Sequence, residues 1–167
     1  MVSARSAWAM ERIELAKRKT SKIYRRDRRH QFAALPWRTG ARGLEILLIT
    51  SRETKRWVIP KGWPMKDRAA HQAAAQEAFE EAGVQGDITS EPLGMFRYVK
   101  RLKGDKSQLC AVDVFPLQVT EVLDLWPERD ERVREWVTPE EASLRVDEPE
   151  LTALIEAFAF LQVRPAD

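Results

Sequence analysis

The sequence predicts an α/β fold, an α/β/α sandwich with a mixed β-sheet between helices. Three observations point there. Apolar, β-branched and aromatic runs recur between turn signals, as strands do. One alanine-rich stretch, Arg68 to Ala82, and one apolar stretch near the C-terminus keep helical spacing instead. Mixed strands with few helices, and no internal repeat, suit one sheet covered on both faces.

Taken in order, residues 4–20 have helix-forming composition with a weak apolar stripe (Trp8, Ala9, Ile13, Ala16), and residues 21–30 form a basic connector. "RHQFAALPW" and "LEILLITSR" read as strands around a turn at Thr39–Gly43. "RWVIP" is a short third strand stopped by Pro60, and "KGWPMKD" a loop broken by Gly62 and Pro64. Asp67 is the expected N-cap of a helix running from Arg68 to Ala82 and closed by Gly83. "GDITSEPLGMFRYVKR" gives strand, turn, strand, and "SQLCAVDVFPLQV" a largely buried strand. "RVREWV" is a late strand. In the following "TPEE", Thr138 caps, Pro139 opens the helix and Glu141 closes a capping box. A final helix starts near Asp147 and carries Leu151, Leu154, Ile155, Phe158 and Leu161 on one face. The domain division expected is a basic N-terminal helical extension, 1–27, and one domain over 28–167.

Composition narrows the class. Cys110 is the only cysteine and there are two histidines, which excludes an intrachain disulfide and argues against a Cys/His zinc site. This cysteine usage leads to an expectation of a reducing, cytoplasmic setting. No apolar run approaches the roughly 18 residues that span a membrane. Residues 1–30 lack the apolar centre of a signal peptide, and Glu11, Glu14 and Asp27 argue against a transit peptide. Those residues hold ten Lys/Arg against three acids, a charge of +7, so residues 31–167 carry −5 of the overall +2. A basic arm of this kind is a solvated terminus or faces an anion. It lacks the interleaved aromatics of single-strand nucleic-acid binders, which argues against a nucleic-acid partner.

The stretch that carries chemistry is "QEAFEEAGV", Gln76 to Val84. At about 100° per residue, Glu77, Glu80 and Glu81 share a sector of roughly 100°. Like charges at these spacings repel, and a helix C-terminus disfavours anions further. Val84, Gln85 and Gly86 offer no cation. A divalent metal ion relieves this arrangement, and an oxygen-only donor set suits Mg²⁺ or Mn²⁺. An exposed acidic helix end screened by salt is the plain alternative.

The longer segment "GWPMKDRAAHQAAAQEAFEEAGV", residues 62–84, resembles the Nudix box, G-x5-E-x7-R-E-U-x-E-E-x-G-U with U apolar. Gly62, Glu77, Ala78, Glu80, Glu81, Gly83 and Val84 fall in register. Two positions depart: Arg68 stands at the first glutamate of the pattern, and Gln76 at the arginine. "SRETKRWVIPKG" and "VTEVLDLWPERDERVREWVTPEEA" are similar to segments of the diphosphoinositol polyphosphate phosphohydrolase branch, and the likeness covers about residues 28–145.

This resemblance implies a Nudix-type sandwich and a Mg²⁺-dependent (or Mn²⁺-dependent) hydrolase of phosphoanhydride bonds. Glu77 and Glu81 would be metal ligands, and Glu80 a third ligand or the general base. Arg52, Arg56, Lys61, Gly62, Arg29, Arg97 and Arg134 are the expected substrate-binding positions. The partner expected is a small-molecule polyphosphate, such as a diphosphoinositol polyphosphate or dinucleoside polyphosphate, with the oligomeric state open. Two alternatives stand beside this. One is a pyrophosphatase of nucleoside diphosphate sugars or ADP-ribose, for which Trp63 is the candidate stacking residue. The other is a catalytically weakened binding module, motivated by Arg68 and Gln76.

Overall fold

The computed structural model describes residues 29–163, together with Glu11. The basic extension expected over residues 1–27 otherwise lies outside the described residues. The strands are β1 (His30–Gly40), β2 (Gly43–Thr50), β3 (Trp57–Val58), β4 (Lys61–Gly62), β5 (Val84–Ile88), β6 (Gly94–Arg101), β7 (Ser107–Val122) and β8 (Arg134–Val137). The helices are α1 (Ala70–Glu77), continued by a π-helical turn Ala78–Ala82, then α2 (Pro139–Arg145) and α3 (Pro149–Gln162). The predicted α/β/α sandwich is therefore present.

The sheet is mixed. Its main path runs β3-β2-β1-β7-β5, with β4 on β1, β6 on β7 and β8 on β2. β1 and β7 are parallel over His30–Trp37, while the other pairings are antiparallel. Both faces are covered, and the two-residue period of the strands divides the core accordingly. Ala33, Leu35, Ile46 and Leu48 point to the face packed by Leu151, Leu154, Ile155 and Phe158 of α3. Phe32, Ala34, Leu47 and Ile49 point to the face packed by Ala73, Ala74, Ala78 and Ala82. This explains near-continuous apolar runs in β1 and β2: strands buried on both faces show no alternation.

The alanine stripe has a packing role. The methyl groups of Ala73, Ala74, Ala78 and Ala82 are all buried. They let the α1 backbone lie close on the sheet and bring its carboxylates down to β4.

Two local expectations are corrected. The helix does not begin on Asp67, which takes a left-handed conformation (φ 61°) and turns the chain. Ala69 is the N-cap residue, and the Gln72 side-chain oxygen accepts its N–H at 2.9 Å. Nor is the helix uniformly α: it widens to π geometry at Ala78–Ala82, which contains Glu80 and Glu81. The Gly83 N–H reaches both Ala78 O and Phe79 O there. Such bulges inside α-helices are frequent at functional sites. The expected Thr138 capping box is formed in full, with Thr138 N to Glu141 Oε2 at 2.9 Å and Glu141 N to Thr138 Oγ1 at 3.2 Å.

Candidate active site

The site is built where the last turns of the central helix face β4 and the β7–β8 connection. Gly62 lies against Glu77 so closely that a Cβ at Gly62 would overlap the Glu77 Oε1 and Cδ atoms and lie 2.9 Å from Oε2. Close approach of backbone and carboxylate explains a glycine here, because Gly62 is not among the positive-φ glycines. Next to it, the Lys61 N–H donates to Glu81 Oε2 at 3.1 Å. The short strand β4 is hydrogen-bonded to β1 through Phe32–Gly62 and Ala33–Lys61. The sheet thus fixes the two groups that hold Glu77 and Glu81.

The three glutamates are half-buried. Desolvation, followed by the neighbouring Glu81, Glu80 and Glu128 charges, raises the Glu77 carboxyl from its ordinary 4.5 to about 7. Desolvation also pushes Glu81 upward, opposed by Arg132 and Lys61. Glu80 accepts from Gln76 Nε2 at 3.0 Å.

Arg132 and Glu128 complete the cluster. Arg132 Nη2 donates to Glu81 Oε1 at 2.9 Å and to Glu128 Oε1 at 3.1 Å, while its Nη1 donates to Thr50 O at 3.1 Å. Its side chain is 8% exposed. The connection carrying them is tied to the helix by Glu128 N–H to Glu80 O, 3.1 Å, and Leu123 N–H to Gly83 O, 2.8 Å. Arg132 and Glu128 both lie in the charged run "PERDERVREW", where spacing alone marks neither. Only a contact across the fold singles them out.

The expected substrate-binding residues divide. Arg52 is exposed, with Glu128 at 3.7 Å and Glu131 at 3.8 Å, at the edge of the cluster. Arg56 Nη1 pairs with Glu148 Oε1 at 2.6 Å and with Asp147 Oδ2 at 3.6 Å. The Lys61 ammonium stands 4.9 Å from the centre of the Tyr98 ring, and burial pushes its pKa down. Arg29 precedes β1, where its carbonyl accepts the Ala111 N–H at 3.2 Å. Arg97 pairs with Glu150 at 2.9 Å on an exposed surface.

Arg134 has a different task from the one expected of it. It donates to Ala82 O at 2.9 Å, Gly83 O at 3.2 Å and Leu123 O at 2.7 Å, with its guanidinium 3.8 Å from the Trp126 ring centre. It is therefore the cation at the negative end of the acidic helix, delivered from β8 rather than from the next turn. Its donors are occupied by backbone carbonyls, not turned to an anion. Gly83 (φ 65°) leaves the room: a Cβ there would lie 2.5 Å from Trp126 and 2.7 Å from Arg134.

The two departures from the box meet each other. Arg68 Nη1 donates to Gln76 Oε1 at 3.1 Å, and Gln76 passes a hydrogen bond to Glu80. His71 lies against Phe115, with ring centres 6.4 Å apart. Trp63 is 40% exposed, with the Lys100 ammonium 4.9 Å from its ring centre.

Oxygen-only donors on one helical turn fit Mg²⁺ or Mn²⁺ by chemistry. The raised Glu77 carboxyl agrees with that fit: burial is the main cause, the neighbouring Glu81 and Glu80 charges add to it, and a cation would offset both. Among the described residues no three or more His, Cys, Asp or Glu side chains form a group that could by itself hold a metal ion. Mg²⁺ does not need one, because it commonly takes one or two carboxylates and fills its shell with water and phosphate oxygens.

Comparisons with known proteins agree with this architecture. The NUDIX domain model matches residues 27–158. Nudix hydrolase 13, mitochondrial, of Arabidopsis thaliana is 36% identical over 104 residues, 59% of this chain and 52% of that protein. Diphosphoinositol polyphosphate phosphohydrolase 3-alpha of Mus musculus is 35% identical over 101 residues, 59% of this chain and 57% of that protein. The chain spans about half the length of the first of these relatives. A crystal structure of a C. elegans Ap4A hydrolase binary complex shares the fold, with a TM-score of 0.59 at 24% identity, over 80% of this chain and 97% of that one. The likeness is not confined to the diphosphoinositol polyphosphate branch. Several of the similar proteins are plant Nudix hydrolases named as mitochondrial, and one as chloroplastic. These overturn the expected cytoplasmic setting, which rested on cysteine usage and on the acidic residues Glu11, Glu14 and Asp27 read as arguing against a transit peptide. Among the described residues no helix is long and apolar enough to cross a membrane. With the box glycine pressed on Glu77, the acidic turn capped from the sheet and the domain model matched over 132 positions, the chain belongs to the NUDIX family.

Proposed function

We propose that the chain is a Mg²⁺-dependent pyrophosphohydrolase that cleaves a phosphoanhydride bond in a phosphate-rich small molecule. The observation that carries this reading is the Glu77–Glu80–Glu81 turn, desolvated against Gly62 and bordered by Arg52, Lys61 and Arg132. Glu77 and Glu81 are the residues that would hold the cation. When bound, it supplies charge neutralisation and an activated water. Glu80, one of whose oxygens accepts from Gln76, would take the proton of the attacking water. Exposed Arg52 offers a cationic donor to phosphate oxygens at the rim, while Lys61, half-buried over Tyr98, would meet them from deeper in the site. Arg132 holds Glu81 in place and lends it positive charge.

The substrates that fit are diphosphoinositol polyphosphates and dinucleoside polyphosphates, both rich in phosphate and able to use several cations at once. A nucleoside diphosphate-linked substrate is a second reading, favoured by the exposed ring of Trp63, which follows Gly62 in the chain. Phosphate release across these three substrate groups, with Mg²⁺ and with Mn²⁺, tests the proposal. Turnover is expected with one of the first two groups, and Glu81→Gln should remove most of it while far-UV CD stays unchanged. Unchanged turnover in that variant would sink the site assignment.

A further inference from the structure

We infer that Arg68 and Gln76 act together as a positioning relay for Glu80, replacing the acid–arginine pair of the box pattern with one of reversed polarity. The inference rests on the hydrolase reading given under Proposed function.

Three observations carry it. The first is the chain of bonds: Arg68 Nη1 to Gln76 Oε1 at 3.1 Å, then Gln76 Nε2 to Glu80 Oε1 at 3.0 Å. The amide both accepts and donates, so it transmits polarisation in one direction. A guanidinium on its carbonyl draws electron density from the nitrogen and strengthens the N–H as a donor. The second is spacing. Gln76 and Glu80 are four residues apart across the α-to-π junction, so the bond spans the point where the helix widens. It fixes the Glu80 rotamer where the backbone repeat alone does not. The third is the placement of Arg68. The left-handed Asp67 (φ 61°) and the Arg68 N–H to Met65 O bond, 3.3 Å, turn the segment so that Arg68 reaches forward to the residue eight positions on, along the helix.

Alternatives are weaker. Arg68 is exposed beside an open groove of about 420 Å³ that Gln76 also lines. Its direct Coulomb effect on Glu80 is therefore screened by water and salt. Its influence must travel through the amide. An amide relay also differs from a cation placed directly on the carboxylate. It holds one oxygen of Glu80 in position and leaves the other available, without cancelling the negative charge a base needs. The paired departure is then a substitution of one brace for another, not the loss of one.

The test is a double-mutant cycle with an isosteric control. Gln76→Ala should lower kcat 10- to 100-fold with KM within about twofold, because Glu80 is misoriented while the cationic rim is untouched. Arg68→Ala should lower kcat about 3- to 10-fold. The double variant should be no worse than Gln76→Ala alone, since the relay is already cut. Gln76→Glu keeps the shape but cannot donate to Glu80, and should match Gln76→Ala. Arg68→Glu combined with Gln76→Arg, which restores the box pattern, should recover at least half of the lost kcat. A second readout needs no substrate. The side-chain amide protons of Gln76 should lie downfield in the ¹H–¹⁵N spectrum and move upfield in Arg68→Ala. Additive kinetic losses, or an amide resonance that does not respond to Arg68→Ala, would overturn the relay. If the wild type hydrolyses none of the substrates, the functional reading fails, and the amide resonance still decides the relay.

Discussion

Gly62→Ala separates the needs of the fold from the needs of the site. Gly62 lacks a left-handed φ, so alanine suits its backbone and should slightly restrict the unfolded chain. The obstacle is the Glu77 carboxylate, whose Oε1 and Cδ a new methyl would overlap and whose Oε2 would be 2.9 Å away. Ordinary carbon–oxygen contact begins near 3.4 Å, so the carboxylate has to retreat by about 1 Å or more. A carboxylate at the end of a flexible side chain swings away readily, and the β4–β1 pairing need not break. The melting temperature should therefore move by only a few degrees. Function should suffer far more, because a displacement of about 1 Å at a catalytic group costs on the order of 100-fold in rate. The assay is kcat with the best substrate of the panel, alongside thermal unfolding and Mn²⁺ binding followed by EPR. The expected result is a loss of about 100-fold in kcat, weakened Mn²⁺ binding and near-normal unfolding. Full activity would show that the Gly62–Glu77 approach does not set the site geometry. A collapse in melting temperature would show that it serves the fold instead.

Other outcomes follow from the same contacts. Arg134→Ala should destabilise the protein by about 2 kcal/mol or more, as it strips donors from three backbone carbonyls. Thermal or urea unfolding reads this, and KM should change little. Arg52→Ala, with only distant ion-pair contacts, should leave the melting temperature within about 1 °C and raise KM roughly 5- to 50-fold. Arg56→Ala should do the opposite first: it abandons the largely buried Glu148 and lowers the melting temperature by several degrees. Metal affinity should depend on pH through Glu77. Its folded pKa, about 7, lies above the ordinary 4.5, so the carboxyl holds a proton near pH 6 that a cation must displace. Mg²⁺ or Mn²⁺ affinity should rise with pH up to about 7 and level off above it, with proton release measurable by calorimetry in buffers of different ionisation enthalpy. In the metal-free protein the sign is reversed. The native state binds that proton more tightly than the unfolded state, so this group's contribution to stability is present below pH 4.5 and is lost as pH rises to about 7.

Much of this was legible along the chain, for a local reason. Strand and helix periodicity, the Thr138–Glu141 cap and the carboxylate spacing are properties of residues within four positions of one another. The repulsion among Glu77, Glu80 and Glu81 was visible because an α-helix fixes which residues share a face. The same rule misled at one point, since a helix that widens to π geometry at Ala78–Ala82 no longer turns at the α rate. The alanine stripe was visible too, but its purpose was not. Space for a ligand and close packing on a sheet demand the same small residue, and only the sheet distinguishes them.

What the sequence by itself determined is therefore the sandwich, the box and the set of acidic groups. What only the tertiary structure decided is which cations serve them. Eight strands in one sheet bring Arg132 to Glu81 across 51 residues and Arg134 to the Ala82 carbonyl across 52. These two arginines stand two apart on the approach to and first residue of β8, yet one reaches a carboxylate and the other a helix terminus. Arg68 and Gln76 show the same on a smaller scale. As two separate departures from a pattern they suggest a loss, and as a bonded pair they provide a brace. A hydrogen bond depends on where two atoms lie in space to within a few tenths of an ångström, and sequence separation carries no information at that scale.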